Sequence, residues 1–254
     1  MRIFALSDLH LSFSGEKPMD PFGPWWSDHA VAIERSWRSS VGAGDVVCLP
    51  GDFSWAMKPE EAARELAWLE ELPGTKILVK GNHDYWWGSI GRVRSLLPPS
   101  VRALQNDSVA IAGAGFAGAR GWVDPTLDFG LLSGHVQPHE LGEEGFSIKG
   151  LEEDRKIYDR ELIRLETSLK SLGRDLTLRV ALLHFPPTSP LLEDTAVTGL
   201  LEKYRVDAAV FGHVHRSGPT AFANPFGVKN GITYFLASAD FVAFTPVQMG
   251  AVDG

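Results

Sequence analysis

Five short apolar runs set what this chain can fold into: Ile3-Phe4-Ala5-Leu6, Val46-Val47-Cys48-Leu49, Ile77-Leu78-Val79, Val180-Ala181-Leu182-Leu183 and Ala208-Ala209-Val210-Phe211. Runs this short, bounded by turn residues, read as strands buried on both faces. Longer amphipathic stretches separate them. Residues 59–71 open on Pro59, carry acids early and place Ala62, Leu66 and Leu69 on one face, which predicts a helix. A second helix is predicted where Tyr158, Leu162, Leu165, Leu169 and Leu172 recur at steps of four and three. Its charged residues, such as Arg160, Glu161 and Arg164, read as a solvated face. Strands alternating with helices imply βαβ units and a largely parallel core sheet. Residues 108–122 and 232–237 are predicted to add strands, with antiparallel pairing one option.

Residues 123–149 hold Pro125, Pro138 and several glycines without any period, so they read as a long loop of the kind that covers a site. With no repeat and no low-complexity linker, residues 1–254 read as a single domain. Hydrophobic residues make up 44% and charged residues 22%, the balance of a globular chain. The 32 acidic against 24 basic residues give a formal charge of −8, which argues against nucleic acid or an anionic membrane as partner. Cys48 stands alone, so no internal disulfide is available and a reducing compartment fits. No apolar stretch approaches the roughly 18–20 residues that span a bilayer, and Asp8 and His10 come too early for a secretory signal. A cytoplasmic protein is the expectation; oligomeric state is not legible.

Each apolar run ends in residues of metal-ligand type. The first gives way to Ser7-Asp8-Leu9-His10, the second to Pro50-Gly51-Asp52 and the third to Lys80-Gly81-Asn82-His83-Asp84. His184 follows the fourth, and Gly212-His213-Val214-His215 follows the fifth. Carboxyl ends of parallel strands share one crevice, so these distant segments are expected to converge. The glycines before Asp52, Asn82 and His213 suit tight turns that aim the next side chain across the strand ends. Any one of these residues alone reads as a turn, cap or core residue. Their ordered recurrence, which takes in five of the eight histidines, is what points to chemistry. Mixed oxygen and nitrogen donors suit Mn, Fe, Co or Zn better than Ca or Mg. Asp8, His10, Asp52, Asn82, His184, His213 and His215 are too many for one ion and suit two, the arrangement used in phosphoester hydrolysis.

This series, Asp8-x-His10, Gly51-Asp52, Gly81-Asn82-His83-Asp84, His184 and Gly212-His213-x-His215, resembles the calcineurin-like metallophosphoesterase superfamily. The resemblance spans residues 8 to 215. It implies an α/β fold, a four-layer α/β/β/α sandwich of mixed sheets with helices outside, and a dinuclear centre at the strand ends. By that resemblance Asp8, His10, Asp52 and His215 hold one ion, and Asp52, Asn82, His184 and His213 the other, with Asp52 bridging. His83 protonates or stabilises the leaving oxygen, and Asp84 supports it. Family members often carry a second acid three residues after the bridging Asp, where this chain has Trp55.

The expected activity is hydrolysis of a small phosphomonoester or phosphodiester by a metal-bridging hydroxide, with two divalent ions, Mn foremost and Fe, Zn or Co as alternatives. A catalytically silent binding scaffold on the same fold is the competing reading, and a nuclease is disfavoured by the acidic balance. Trp25, Trp26, Trp55, Trp86 and Trp87 follow the ligand motifs. They either stack a flat, nucleotide-like group or, the favoured reading, pack as a hydrophobic rim. Arg120 is a candidate for binding a substrate phosphate, with a surface ion pair as its plain alternative. His29, His135 and His139 match no motif; His135 and His139, in the long loop, either line its underside or, the favoured reading, lie in solvent.

Overall fold

A computed structural model of the chain describes residues 1–13, 15, 17–124, 127, 148–216 and 224–252, with only the backbone of 148–151. Among these residues the strands form two mixed sheets. The first holds β1 (Arg2–Ala5), β2 (Val46–Leu49), β3 (Thr75–Leu78), β4 (Val101–Ala103) and β11 (Val247–Ala251), in the order β11-β1-β2-β3-β4. The second holds β5 (Ser108–Ile111), β6 (Ala114–Ala119), β7 (Leu178–Leu183), β8 (Ala208–Phe211), β9 (Val228–Lys229) and β10 (Ile232–Leu236), in the order β5-β6-β7-β8-β10-β9. β1 to β4 run parallel with β11 antiparallel at the edge, and β6, β7, β8 and β10 run parallel between antiparallel β5 and β9. The five predicted strands are all present. Residues 108–122 supply an antiparallel hairpin, whose two-residue loop places Ala112 and Gly113 at φ 46° and 86°. Residues 232–237 instead join β8 in parallel.

The layers follow from which way alternate residues point. Ile3, Ala5, Val46, Cys48, Ile77 and Val79 meet Phe116, Val180, Leu182 and Val210 in a core between the two sheets. Their neighbours Phe4, Val47, Leu49 and Leu78 face outward onto Ile33 and Trp37 of α1 (His29–Ser40), Leu66 and Leu69 of α2 (Ala63–Glu71) and Val93 of α3 (Ile90–Leu96). On the other side Ala181, Leu183, Ala209 and Phe211 face Tyr158, Leu165 and Leu169 of α4 (Ile148–Lys170) and Val197 and Leu201 of α5 (Ala196–Lys203). Three cores between four layers make the α/β/β/α sandwich.

Two boundaries differ from expectation. α2 starts at Ala63 rather than Pro59, because Glu61 turns its carboxylate back onto the amides of Met57 and Lys58 and residues 59–62 form turns. α4 starts ten residues before its periodic stretch, inside the predicted loop. Of that loop only residues 123, 124, 127, 148 and 149 are described, so its predicted covering role, with His135 and His139, lies outside the described residues. Among the described residues no helix is long and apolar enough to cross a membrane.

Phe116, fully buried between the sheets, is the plainest test of the layering. Phe116→Ala is expected to cost about 3–5 kcal/mol in urea unfolding. A loss below about 1 kcal/mol would mean that the sheets do not pack through this residue.

Candidate metal centre

The carboxyl ends of β1, β2, β3, β7 and β8 bring every predicted ligand to one place. The turns lock side by side: Asp8 N donates to the Gly51 carbonyl at 3.1 Å, and His10 N to the Asp52 carbonyl at 3.0 Å. Asp8, His10, Asp52 and His213 all sit at positive φ, between 45° and 73°, the left-handed region that side chains other than Gly enter at a cost of roughly 1–3 kcal/mol. Gly81 and Gly212 are required for space. A Cβ on Gly81 would lie 2.0 Å from Asp52 Oδ1, and one on Gly212 would lie 2.1 Å from Asp8 Oδ2. The carboxylates pack against bare backbone there.

Asp84 ties two of these turns together. Its carboxylate accepts from the backbone N–H of Gly81 (2.8 Å), Asp52 (3.0 Å), Phe53 (3.0 Å) and Ser54 (3.2 Å), and from the Trp86 indole (3.0 Å). Asp52 Oδ1 in turn accepts from His83 N at 2.8 Å. Asp84 thus bears on His83 through the turn rather than through its ring.

Hydrogen bonding assigns the histidine tautomers. A carbonyl can only accept, so His184 Nδ1 donates to the Pro50 carbonyl at 3.1 Å, which leaves Nε2 as a bare lone pair. His215 Nδ1 donates to Asp240 Oδ1 at 3.2 Å, which makes Nε2 the unprotonated nitrogen of the neutral ring. His215 Nε2 lies 3.1 Å from His10 Nε2 and 3.8 Å from Asp8 Oδ1. His184 Nε2 lies 3.5 Å from Asp52 Oδ2 and against Asn82 Oδ1, which is also 3.1 Å from His213 Nδ1. Such concentrations of lone pairs fit divalent cations. Two groups, Asp8-His10-His215 and Asp8-Asp52-His184, have donor atoms within 4.8 Å of one another. Both contain Asp8, yet Asp8 approaches His184 only at the Nδ1 already engaged by Pro50. Asp52 Oδ2 stands 3.8 Å from His10 Nε2 and 3.5 Å from His184 Nε2, between the two groups. Burial pushes the Asp8 carboxyl from its ordinary 3.8 up to about 6, and burial with the charges of Asp84 and Asp8 also holds the Asp52 carboxyl well above the usual range. Burial also holds His10 and His184 neutral, well below the usual histidine range.

Asp240 is the residue the sequence reading missed. It is fully buried, orients His215 and accepts from Arg216 N at 3.0 Å. Its signal was present: Asp240 closely follows the run at 232–237, as the ligands follow theirs. The site opens into a cleft of about 340 Å³ lined by His10, Asp52, Asn82, His83, His213 and His215, and walled by Met19, Phe22, Trp26 and Trp55. The five tryptophans therefore divide. Trp26 and Trp55 line the cleft, whereas Trp86 and Trp87 are buried beneath it as packing. Trp25 is not among the cleft-lining residues and lies under the Arg216 guanidinium at 5.0 Å. Arg120 opens instead into a neighbouring cavity. His29, which matches no motif, begins α1, lies 3.0 Å through Nδ1 from the Trp26 carbonyl and packs against the Trp26 ring.

The model of the calcineurin-like phosphoesterase family matches residues 1–217, and the chain belongs to that family. It is also similar to the Gene 66 proteins of Mycobacterium phages L5 and D29. Identity is 31% over 78 residues for L5 and 35% over 83 residues for D29. These matches take in 31% and 32% of this chain, and the chain spans only 37% and 40% of those relatives' own lengths. Among solved structures, a phosphopantetheinyl hydrolase of Mycobacterium tuberculosis superimposes with a TM-score of 0.52 at 15% identity, over 98% of this chain and 95% of that one. A protein of unknown function from Aquifex aeolicus gives 0.47 at 16% identity, over 97% and 95%. At these identities the likeness to the hydrolase is one of fold.

The Asp8 carboxyl gives a pH test. A carboxyl raised in the folded state favours the fold below about 3.8, and that contribution is lost as pH rises through about 6. In chelator-treated protein, Asp8→Asn is expected to gain roughly 1–3 kcal/mol over the wild type between about pH 4 and pH 7, read by urea unfolding. A difference that does not change with pH would show that Asp8 ionises like an exposed carboxyl.

Proposed function

We propose that this chain hydrolyses a small phosphorylated substrate at a dinuclear centre. Asp8, His10, Asp52 and His215 would hold one ion, and Asp52, Asn82, His184 and His213 the other. The observation that carries the reading is the position of Asp52 Oδ2, between His10 Nε2 and His184 Nε2. The mixed donor set favours Mn, with Fe, Zn or Co as substitutes. Two such ions supply positive charge that binds phosphate oxygens and acidifies water.

The chain's own residues then have separable roles. Asp240 and the Pro50 carbonyl hold His215 and His184 with Nε2 turned inward. Asp84 fixes the turns bearing Asp52, Asn82 and His83. His83 lines the cleft against Trp55, with 4.5 Å between ring centroids, and donates a proton to the departing alcohol oxygen. Met19, Phe22, Trp26 and Trp55 give the far side of the cleft an apolar surface, which suits a flat or apolar group on the substrate, a nucleotide-like one included. Two sheets sharing one core support reading the chain as a single domain.

A chromogenic phosphodiester is the first test. Turnover is expected with added Mn and is expected to vanish with chelator. No turnover with two ions bound would favour a binding scaffold on this fold. His83→Ala is expected to keep its metal and lose about 10²–10⁴-fold in kcat on alkyl esters, with a much smaller loss on nitrophenyl esters. Equal losses on both would remove His83 as the proton donor.

A further inference from the structure

Beside the cleft, past the ends of β3, β4 and β6, lies a second cavity of about 260 Å³ whose lining differs in kind. Lys80, Arg120, Arg160 and Arg164 line it together with one carboxylate, Glu161. Four cations against one anion leave three unmatched positive charges among its described residues, in a chain whose total is −8.

The arrangement is more than a solvated helix face. Glu161 is buried, and its Oε1 lies 2.7 Å from Arg164 Nη1, 3.6 Å from Arg120 Nη2 and 3.8 Å from Arg160 Nε. One oxygen therefore gathers three guanidiniums, each with five N–H donors, and most of those donors remain to be directed elsewhere. Arg160 and Arg164 form the open lip, with side chains 54% and 39% exposed, while Arg120 is 19% exposed. The Arg120 guanidinium lies over Trp122 at 4.8 Å, and its Nε is buried without a hydrogen-bond partner among the described residues. Lys80 gives one N–H to the Trp87 carbonyl at 3.2 Å and has two more. Converged and partly desolvated cations repel one another unless an anion joins them. A phosphate has the charge and the acceptor oxygens to satisfy this fan of donors.

We propose that this cavity is an anion pocket for a phosphate group distinct from the one at the metal centre. Two of its cations belong to the turns that build that centre. Lys80 precedes Gly81-Asn82, and the Arg120 carbonyl accepts from His184 N at 2.9 Å and Phe185 N at 3.1 Å. The group bound there is either a second phosphate of the substrate or free inorganic phosphate. Only the first case rests on the proposed hydrolase reading.

Inorganic phosphate titrated calorimetrically into the Mn-loaded full chain is expected to fill two sites in the wild type. In Arg160→Gln/Arg164→Gln one site remains, or the second weakens roughly tenfold, as expected for lost charge-assisted contacts. Should the double variant fail to fold, Arg160→Gln alone, at the exposed lip, is expected to weaken the second site about threefold. Alkanediol bisphosphates compared with alkyl phosphates then separate the sources. A pocket for the substrate's second phosphate lowers the ratio of their kcat/KM values about tenfold in the double variant. A pocket for free phosphate leaves that ratio alone while the stoichiometry still changes. One phosphate per chain in the wild type, unaltered by the variants, would overturn the pocket. Two phosphates with no phosphoester turnover would uphold the pocket and refute the hydrolase reading.

Discussion

Everything at the strand ends hangs on the Asp84 carboxylate. Four backbone amides and one indole converge on its two oxygens, so the turn after β2 and the turn after β3 have a single relative position. That position sets Asp52 between His10 and His184 and delivers His83 to the cleft wall. Full burial of a carboxylate is tolerable because every one of its partners is an N–H aimed at charge. Asp240 does the same service on the opposite side, where it fixes one histidine and the amide beyond it.

The folded chain carries a concentrated cost at this end of the sheets. Four of the seven proposed ligands stand in left-handed backbone, and two carboxylates are buried within reach of a third. The three interlayer cores elsewhere supply the stability against which such local strain is held. The direction of the titration shifts belongs to the same picture. Without cations the buried acids favour protonation, while the buried imidazoles stay neutral. Divalent ions, which the family membership implies, would satisfy both sets at once.

Much of this was legible in the sequence, and the reasons are physical. Strands covered on both faces must be apolar throughout, so β1, β2, β3, β7 and β8 stand out as runs, and the polar residue that ends each run marks the rim. The same uniformity hides which sheet each strand joins, since inward and outward residues are alike in type. α5 went unseen because its capping box pairs Thr195 with Thr198, where the expected partner is Glu or Gln. Asp240 is harder to see because it stands four residues past the end of β10, separated from it by Ala237-Ser238-Ala239, and not directly at the strand end. Arg120 was read as a lone residue, yet its partners Arg160 and Arg164 come from α4, forty residues on, where periodicity made them look like an ordinary wet face.

Charge is the other thing that composition concealed. A total of −8 describes the whole chain, but the cation cavity beside the candidate metal centre has the opposite sign. The central claim remains that Asp52 is shared between two ions, and metal counting tests it most directly. Calorimetric titration of Mn into chelator-stripped protein, with elemental analysis of the product, is predicted to give two ions per chain in the wild type and at most one in Asp52→Ala. A single ion in the wild type, or an unchanged content in Asp52→Ala, would contradict the account.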